Sequence, residues 1–319
     1  MMKKAYIIMA HKNPSQVHRL ISRLNDGRSA FFLNIDKKVP IAPFQVLKEF
    51  GEIIHFVERV NIRWAGFGSV QASLNALKAI KDSKEDFERV FLLSGQDYPI
   101  KSNIYINDFL KNSSESVFIE YDPIPNYQKW PGADRGGLYR VDKYFLGLKW
   151  HELFRSKSMN FLATYLPFLR RKIPNDMIPF TGSAWWSLDS YALDYILSYH
   201  EKHSEYGAFH HFTFVPDELY FNMMIAGTKD EKLLASLKNN NKRLIIWESS
   251  SAAHPNTLRV NDFDTILASD QLFARKFDVA KDAEILDLVD RHILWKTQTG
   301  VNAGYLNDKL NPSKDIEVA

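Results

Sequence analysis

The sequence lacks several features that assign proteins to common classes. Its 319 residues include no cysteine, which excludes disulfides, thiol catalysis and cysteine-ligated zinc and is typical of a reducing compartment. No apolar run reaches the ~20 residues that a membrane-spanning helix needs. The apolar run at residues 5–10 is also too short for a signal peptide. We therefore expect a cytoplasmic protein.

The charge is nearly balanced. Lys and Arg number 41 against 38 Asp and Glu, a formal net charge of +3, which is too small for a protein that grips nucleic acid by its overall charge. No long Pro/Gly/Ser-rich linker divides the chain. We expect one compact domain over 1–296, with a nucleotide-binding half (1–110), an acceptor and catalytic half (111–296), and a polar tail over 297–319.

Common catalytic motifs are absent too. There is no P-loop, no G-x-G-x-x-G, no G-x-S-x-G and no H-E-x-x-H, which argues against NTPases, Rossmann dehydrogenases, serine hydrolases and zinc enzymes. The neighbours His210 and His211 would diverge on any regular element. Asp262 and Asp264 form a D-x-D, but they precede a helical pattern, so helix capping explains them better. We therefore expect no zinc site, and none of these motifs indicates a cofactor.

Strands and helices alternate in the first third of the chain. Apolar runs at 5–10, 30–35 and 89–93 alternate with helical patterns that start at Pro14 and Val70. This order predicts an α/β fold with a mostly parallel, Rossmann-type sheet flanked by helices. Ligands bind beyond the carboxyl ends of such strands. The residues expected at that rim include Ala10, Asp36, Trp64 and Asp97.

The middle of the chain is less regular. A Pro/Gly/aromatic loop at 122–137 is of the kind that carries binding groups. Arg135 in this loop and Arg140 just after it are candidate ligand-binding cations. Residues 151–178 interleave cations with aromatic residues. We interpret them as the solvated face of an amphipathic helix, with weak membrane adhesion as the second interpretation. The C-terminal region predicts a helix near 264–276 and another near 283–294.

Two charged residues have both a structural and a catalytic interpretation. Glu218 follows Pro216 at a predicted helix start, where acids are favoured by the helix dipole. It also follows a loop rich in His and aromatic residues, where a partly desolvated carboxylate could serve as a general base. Lys276 ends an apolar helical pattern, either as an ordinary dipole partner or as a clamp on phosphate charge.

Eight collinear blocks resemble one known family, the core-2/I-branching β-1,6-N-acetylglucosaminyltransferases and the related peptide xylosyltransferases (glycosyltransferase family 14). The blocks are collinear and spread along the chain, so the resemblance covers nearly all of it, and their order is specific. They are A-Y-I-I-M-A-H-K-N-P at 5–14, N-I-D-K-K at 34–38, R-W-A-G-F-G-S-V-Q-A-S-L-N-A-L at 63–77, L-L-S-G-Q-D-Y-P-I-K at 92–101, F-T-G-S-A-W-W-S-L at 180–188, V-P-D-E-L-Y-F at 215–221, and H-P-N-T-L with L-F-A-R-K-F-D at 254–258 and 272–278.

The resemblance implies a GT-A fold and an inverting glycosyltransferase that works without a metal ion. Carried over by motif, Glu218 would be the base and Lys276 would stabilise the departing UDP diphosphate. The predicted UDP-sugar-binding residues are Met9, Ala10, Asp36, Trp64, Asp97, Arg275 and Lys276. The predicted acceptor-binding residues are Arg135, Arg140, Trp185 and Trp247.

The sequence also departs from the family pattern. Asn256 stands where a second diphosphate-binding Arg is expected, so Arg259 or Arg275 would have to compensate. Without cysteine or anchor, the chain resembles a bacterial relative that moves GlcNAc from a UDP-sugar to a glycan or lipid-linked glycan, in surface polysaccharide or glycoconjugate synthesis. The alternatives are a UDP-xylose-dependent xylosyltransferase and a non-catalytic glycan- or membrane-binding module.

Overall fold

A computed structural model describes residues 2–248 and 254–294, with only the backbone of residues 133, 134 and 176. The predicted tail, 297–319, lies outside the described residues. The strands are β1 (Lys4–Ala10), β2 (Ser29–Ile35), β3 (Ile54–Phe56), β4 (Arg89–Ser94), β5 (Asp97–Pro99), β6 (Val117–Pro123), β7 (Phe180–Asp189), β8 (Leu237–Asn239), β9 (Arg243–Ile245) and β10 (Phe273–Arg275). The α-helices are α1 (Pro14–Leu24), α2 (Gly68–Asp82), α3 (Asn103–Asn112), α4 (Tyr139–Asp142), α5 (Trp150–Tyr165), α6 (Ser190–Lys202), α7 (Ser204–His210), α8 (Tyr220–Ala226), α9 (Glu231–Ala235), α10 (Phe263–Ala268) and α11 (Glu284–Val289).

The chain folds into two compact units. The first contains the chain up to Gly95 together with Leu110–Lys242. The second contains Gln96–Phe109 and the described part of the chain from Arg243 onward. The single compact domain predicted from the sequence, with nucleotide-binding and acceptor halves divided at residue 110, stays a prediction.

A seven-stranded sheet forms the centre of the first unit, in the order β3-β2-β1-β4-β7-β6-β8. The neighbours β3, β2, β1 and β4 are parallel, β6 and β8 are parallel, and β7 runs antiparallel to both β4 and β6. Helices α2, α6 and α8 pack against the sheet. The predicted α/β class with a mostly parallel sheet is therefore confirmed.

The apolar patterns explain these elements. All seven residues of β2 and six of the seven in β1 are buried, as strands covered on both faces must be. Helix α1 buries Val17, Leu20, Ile21 and Leu24, and α2 buries Val70, Leu74, Leu77 and Ile80. Both helices follow the predicted periodicity and are confirmed.

Three strands form the sheet of the second unit. Strand β10 pairs antiparallel with β5 and parallel with β9. The helix predicted near 264–276 is wrong in its second half, because α10 ends at Ala268 and Phe273–Arg275 are extended. The spacing of Phe273 and Phe277 fits a helix. The segment is extended instead because it pairs with β5 and β9, which are distant in sequence. The helix predicted near 283–294 is present as α11 and the turn after it.

Gly182 is required by a close approach of two strands. A β-carbon at this position in β7 would lie 1.9 Å from the carbonyl oxygen of Glu120 in β6. We expect Gly182→Ala to lower the free energy of unfolding by about 2 kcal/mol or more, because the backbone must shift. The measurement is urea denaturation followed by circular dichroism.

Gly207→Ala is the matched control. Gly207 lies in α7, and its nearest potential contact is 3.7 Å away at the His200 ring. We expect it to gain about 0.5 kcal/mol from helix propensity. Equal effects of the two substitutions would contradict the strand-contact explanation.

Candidate functional site

The turn Pro216–Glu218, just before α8, presents two adjacent carboxylates. It begins with Val215 in the left-handed region, at φ 51° and ψ 61°. A β-branched residue rarely adopts this conformation, and a residue before proline prefers an extended one. Such strain costs about 1–3 kcal/mol and is held only where surrounding contacts enforce it.

Those contacts come from two other segments of the first unit. The Val215 N–H donates to the Ala65 carbonyl at 3.3 Å. The Arg140 guanidinium donates to the Val215 carbonyl at 3.3 Å. The segment that contains Ala65 also packs its Phe67 ring on His211, with 4.0 Å between ring centroids. The 63–69 block therefore supports the turn that carries Glu218.

Arg140 fixes the Glu218 side chain. Its Nη2 lies 2.8 Å from Glu218 Oε2, and its Nη1 donates to the Thr181 hydroxyl at 2.7 Å. The Thr181 hydroxyl in turn donates to the Glu218 carbonyl at 3.1 Å. Arg140 is buried, whereas the Glu218 side chain is 41% exposed. The carboxylate is thus held in place and still open to a substrate.

The environment of the Asp217 carboxyl group differs from that of Glu218. Burial, with the adjacent Glu218 charge, raises the pKa of Asp217 to about 6. A hydrogen bond from Ser69 opposes this rise. The two carboxyl groups therefore have different environments, one desolvated and one paired with a guanidinium. Different environments of this kind separate the functions of paired carboxylates in enzymes.

A cavity of about 210 Å³ lies beside the 63–69 block. Trp64, Phe145 and His211 give it aromatic walls, and Arg63 and Glu152 form an ion pair at 3.3 Å in its lining. The Lys149 N–H donates to Glu152 at 2.9 Å, and these interactions lower the pKa of Glu152. Aromatic faces with fixed charged groups suit a polar ligand that also has apolar surface.

Three predicted donor-binding residues lie at the ends of β1 and β2, as expected. Met9 and Ala10 end β1, and the Asp36 N–H donates to the Ala10 carbonyl at 2.9 Å. The Asp36 carboxylate accepts the Lys38 N–H at 3.0 Å and the Ile62 N–H at 3.4 Å. Trp64 is exposed, packs edge-on against Phe214, and lines the cavity described above. Their contacts with a nucleotide stay predictions.

The other donor-binding candidates lie in the second unit. Asp97 is fully buried, 3.4 Å from Arg243 Nε and 3.9 Å from Arg275 Nη1. Burial lowers the pKa of Arg243 to about 10 and also lowers that of Arg275. Asp97 and Arg275 therefore belong to an ion cluster inside the unit. Their contact with a donor stays a prediction.

Lys276 is half-buried, and its backbone is hydrogen-bonded to the segment that contains Asn256. The Lys276 N–H donates to the Asn256 carbonyl at 3.4 Å, and the Leu258 N–H donates to the Lys276 carbonyl at 3.0 Å. These bonds bring the 254–258 and 272–278 blocks together. Asn256, which stands where the family pattern expects an arginine, is therefore joined to Lys276 by a backbone hydrogen bond.

The candidate acceptor residues have different surroundings. Arg135 is exposed and paired with Asp142, Trp185 is half-buried, and Trp247 is half-exposed in the second unit. Arg140 contacts Glu218, Thr181 and Val215 rather than solvent. Acceptor contact stays a prediction for all four.

A buried cluster beside the turn Pro216–Glu218 was not predicted from the sequence. His210 is fully buried among the rings of Tyr206, Phe209 and Tyr220, which lowers its pKa well below the usual value. Arg171 packs over Phe209 and donates to the carbonyls of Lys143, Phe209 and Phe212. The sequence analysis expects Arg171 on a solvated face, which is wrong. The sequence signal that could have revealed this cluster is the run of His and aromatic residues that contains Phe209 and His210.

Potential metal ligands do not gather in the described residues: no three His, Asp or Glu side chains there could hold an ion together. Asp262 accepts the Arg259 N–H at 2.8 Å and ends a short helical turn before α10. The Asp262 side chain therefore caps this short turn, but it makes no side-chain cap bond to α10, the helix that the sequence pattern predicted it to cap. Within the described ranges, no helix has both the length and the apolar character needed to cross a bilayer.

An α/β fold that carries a half-exposed glutamate fixed by a buried arginine is an arrangement suited to acid/base catalysis. A model of the Core-2/I-Branching enzyme family matches residues 4–269, and the chain belongs to this family of glycosyltransferases. The resemblance found in the sequence blocks is confirmed.

Known relatives carry different transferase names. The β-glucuronosyltransferase GlcAT14B of Arabidopsis thaliana is 22% identical over 95% of this chain and 65% of its own length. Xylosyltransferase 2 of Mus musculus is 22% identical over 91% of this chain and 33% of its own. The human probable β-1,3-galactosyl-O-glycosyl-glycoprotein β-1,6-N-acetylglucosaminyltransferase 7 is 28% identical over 34% of this chain and 26% of its own. This chain thus spans under two thirds of each relative.

Among solved structures, that of mouse xyloside xylosyltransferase 1 in its apo form is similar to this chain with a TM-score of 0.37. The two are 11% identical, and the match covers 85% of this chain and 97% of the mouse chain.

The raised pKa of Asp217 predicts a pH-dependent stability. An ordinary carboxyl has a pKa near 3.9 in the unfolded chain, so the folded state binds the proton more tightly. This contribution is present below pH 4 and is lost as the pH rises through about 6. We expect Asp217→Asn to gain about 2 kcal/mol relative to wild type between pH 4 and pH 8.

The measurement is urea denaturation of both proteins across that pH range. Comparing the two proteins at each pH cancels the titration of the groups that are not coupled to Asp217. A difference that does not change with pH would show that Asp217 titrates normally.

Proposed function

We propose that this chain is an inverting glycosyltransferase that moves a sugar from a UDP-sugar to a hydroxyl of a glycan. The single observation that carries the proposal is the half-exposed Glu218 carboxylate held at 2.8 Å by the buried Arg140, in a member of a glycosyltransferase family. An inverting displacement needs one base on the acceptor side and positive charge on the side of the leaving group.

In the proposed reaction, Glu218 takes the proton of the acceptor hydroxyl as that oxygen attacks the anomeric carbon. The bond between the anomeric carbon and the UDP oxygen breaks, and the diphosphate leaves with the electron pair. Lys276 would offset the charge that develops on the diphosphate. The proposal needs no metal, and Asp262 is already bonded to the Arg259 backbone.

We propose GlcNAc as the donor sugar, which the resemblance of the sequence blocks to β-1,6-N-acetylglucosaminyltransferases supports. Xylose is the alternative, supported by the relative named xylosyltransferase 2, and the plant relative's name adds glucuronic acid. A panel of UDP-sugars distinguishes the three.

The cavity lined by Trp64, Phe145 and Glu152 is our proposed acceptor subsite, which assigns Trp64 to the acceptor rather than to the UDP-sugar. Sugar rings present apolar C–H faces that pack on aromatic side chains, and their hydroxyls bond to carboxylates and guanidinium groups. The Arg63–Glu152 pair could supply both kinds of polar group. A glycan or lipid-linked glycan acceptor, made at the cytoplasmic face of a bacterial membrane, fits this proposal.

Glu218→Gln tests the base. Gln keeps the shape and can still accept the bond from Arg140, but it cannot take a proton at neutral pH. We expect transfer to fall at least about 100-fold while UDP binding is retained. Glu201→Gln, an exposed acid in α6, is the matched control and should leave transfer unchanged. Turnover within threefold of wild type in Glu218→Gln would remove Glu218 from this function.

Lys276→Ala tests the diphosphate contact. A bound ligand raises the melting temperature by mass action, so UDP and the UDP-sugars should each stabilise the wild type. We expect Lys276→Ala to weaken UDP binding at least tenfold and to slow transfer, because a charge-assisted contact is lost.

The exposed Lys281→Ala, in the same unit, is the control. The shifts should survive excess EDTA and should rank the donors. Stabilisation that needs Mn²⁺ would contradict the metal-free proposal. No stabilisation by any UDP compound would favour a glycan-binding module without catalysis.

A further inference from the structure

Helix α5 is attached to the first unit by its small and polar side chains. Ser156 and Ala163 are its buried residues. The Ser156 hydroxyl accepts the Leu146 N–H at 3.0 Å, and Asn160 exchanges two hydrogen bonds with the backbone of Tyr144, at 2.7 and 2.9 Å. Positions 156, 160 and 163 lie on one face of a helix. Arg155 and Lys157 lie on a solvated face as the sequence predicts, but the large apolar side chains do not pack inward.

The large apolar side chains of α5 point into solvent. Trp150, Phe154, Phe161 and Tyr165 are 80%, 66%, 63% and 69% exposed. At about 100° per residue these four fall within a stripe about 60° wide on the helix. Phe168, in the turn that follows, is 79% exposed. We call the surface formed by residues 149–172 the α5 surface.

Other apolar side chains widen the α5 surface. Leu153, Met159, Leu162 and Leu166 are also exposed. Burying such residues is favourable, so a soluble protein rarely leaves so many of them together in water without a use for them.

Positive charge surrounds this apolar surface. Residues 149–172 contain six Lys or Arg and one Glu, a net charge of +5 in a chain whose total is +3, so the remainder of the chain is slightly negative. Arg171 is held inside the unit, which leaves five exposed cations. They are Lys149, Arg155, Lys157, Arg170 and Lys172.

We propose that the α5 surface docks the protein on an anionic lipid bilayer. Aromatic rings settle at the level of the lipid headgroups, and leucine side chains reach the upper acyl chains. Long Lys and Arg side chains place their charges among the anionic phosphates while their stems remain in apolar contact. The surface offers all three groups on one helix and the turn after it.

Charge and composition favour lipid over other partners. Two copies of this chain meeting through the α5 surface would bring two clusters of +5 together, which disfavours a symmetric dimer. A single-stranded nucleic acid would stack on the rings and pair with the cations, but it would leave the leucine side chains in water. An anionic bilayer matches both the charge and the aliphatic groups.

Cosedimentation of the full chain with vesicles tests the proposal. We expect binding to phosphatidylcholine vesicles that contain 30% phosphatidylglycerol, and at least twentyfold weaker binding to phosphatidylcholine alone. Each Lys or Arg near an anionic surface contributes roughly fivefold. Arg155→Glu with Lys157→Glu should therefore weaken binding at least twentyfold, whereas Lys48→Glu with Lys202→Glu, both exposed elsewhere, should have a much smaller effect.

The aromatic stripe is tested separately. Trp150→Ser with Phe154→Ser and Phe161→Ser should weaken binding at least tenfold, whereas Val46→Ser with Leu234→Ser, exposed apolar residues outside the surface, should not. Circular dichroism checks that each variant is folded. Brominated lipids should quench the tryptophan fluorescence of wild type more than that of Trp150→Phe, which keeps the surface apolar.

Three results would overturn the proposal. The first is no binding of the wild type to anionic vesicles, and the second is equal binding by the stripe variant. The third is self-association without lipid that the stripe variant abolishes, which would assign the surface to a second copy of the chain.

Discussion

The contact between Arg140 and Glu218 is the interaction on which the candidate site depends. A buried guanidinium needs a compensating charge, and removing the partner of a buried ion pair typically costs 3–5 kcal/mol. Here the compensating carboxylate is Glu218, which is half-exposed. The same Arg140 also bonds to Thr181 and to the Val215 carbonyl. One buried cation therefore links β7, the strained turn and the proposed base, so the stability of this region and the position of the carboxylate are coupled.

The hydrogen bonds of this network hold Val215 in its strained conformation. A left-handed valine before a proline would relax to an extended conformation in an isolated peptide. Its N–H and carbonyl are both held, by Ala65 and Arg140, and relaxation would break these bonds. The enforced turn fixes where α8 begins and hence where Glu218 projects. Preorganisation of this kind is what an acid/base group needs, because a carboxylate that is already oriented loses little entropy in the reaction.

The sequence predicted the strands and helices that are formed by local apolar patterns. Strands β1, β2 and β4 and helices α1 and α2 are encoded in contiguous apolar patterns, and all were found. Strand β10 was missed because the spacing of Phe273 and Phe277 fits a helix equally well, and only pairing with β5 and β9 decides between them. The partnership of Arg140 with Glu218 joins residues 78 positions apart, which no local pattern reveals. The resemblance to a family pointed to Glu218, but it did not indicate what holds this residue.

For helix α5, the face that packs inward was not predicted, and the reason is different. The sequence does carry an amphipathic pattern, but the pattern does not say which face packs inward. The Ser156 hydroxyl accepts the Leu146 N–H and the Asn160 amide donates to the Tyr144 carbonyl, so the polar face is fixed against the protein and the aromatic face is left outside. The first turn of the same helix carries Glu152, which lines the cavity proposed for the acceptor. Docking through the α5 surface would therefore hold the acceptor subsite close to the lipid headgroups. An acceptor sugar attached to a lipid would reach this subsite without leaving the membrane, so the two proposals describe compatible uses of one helix.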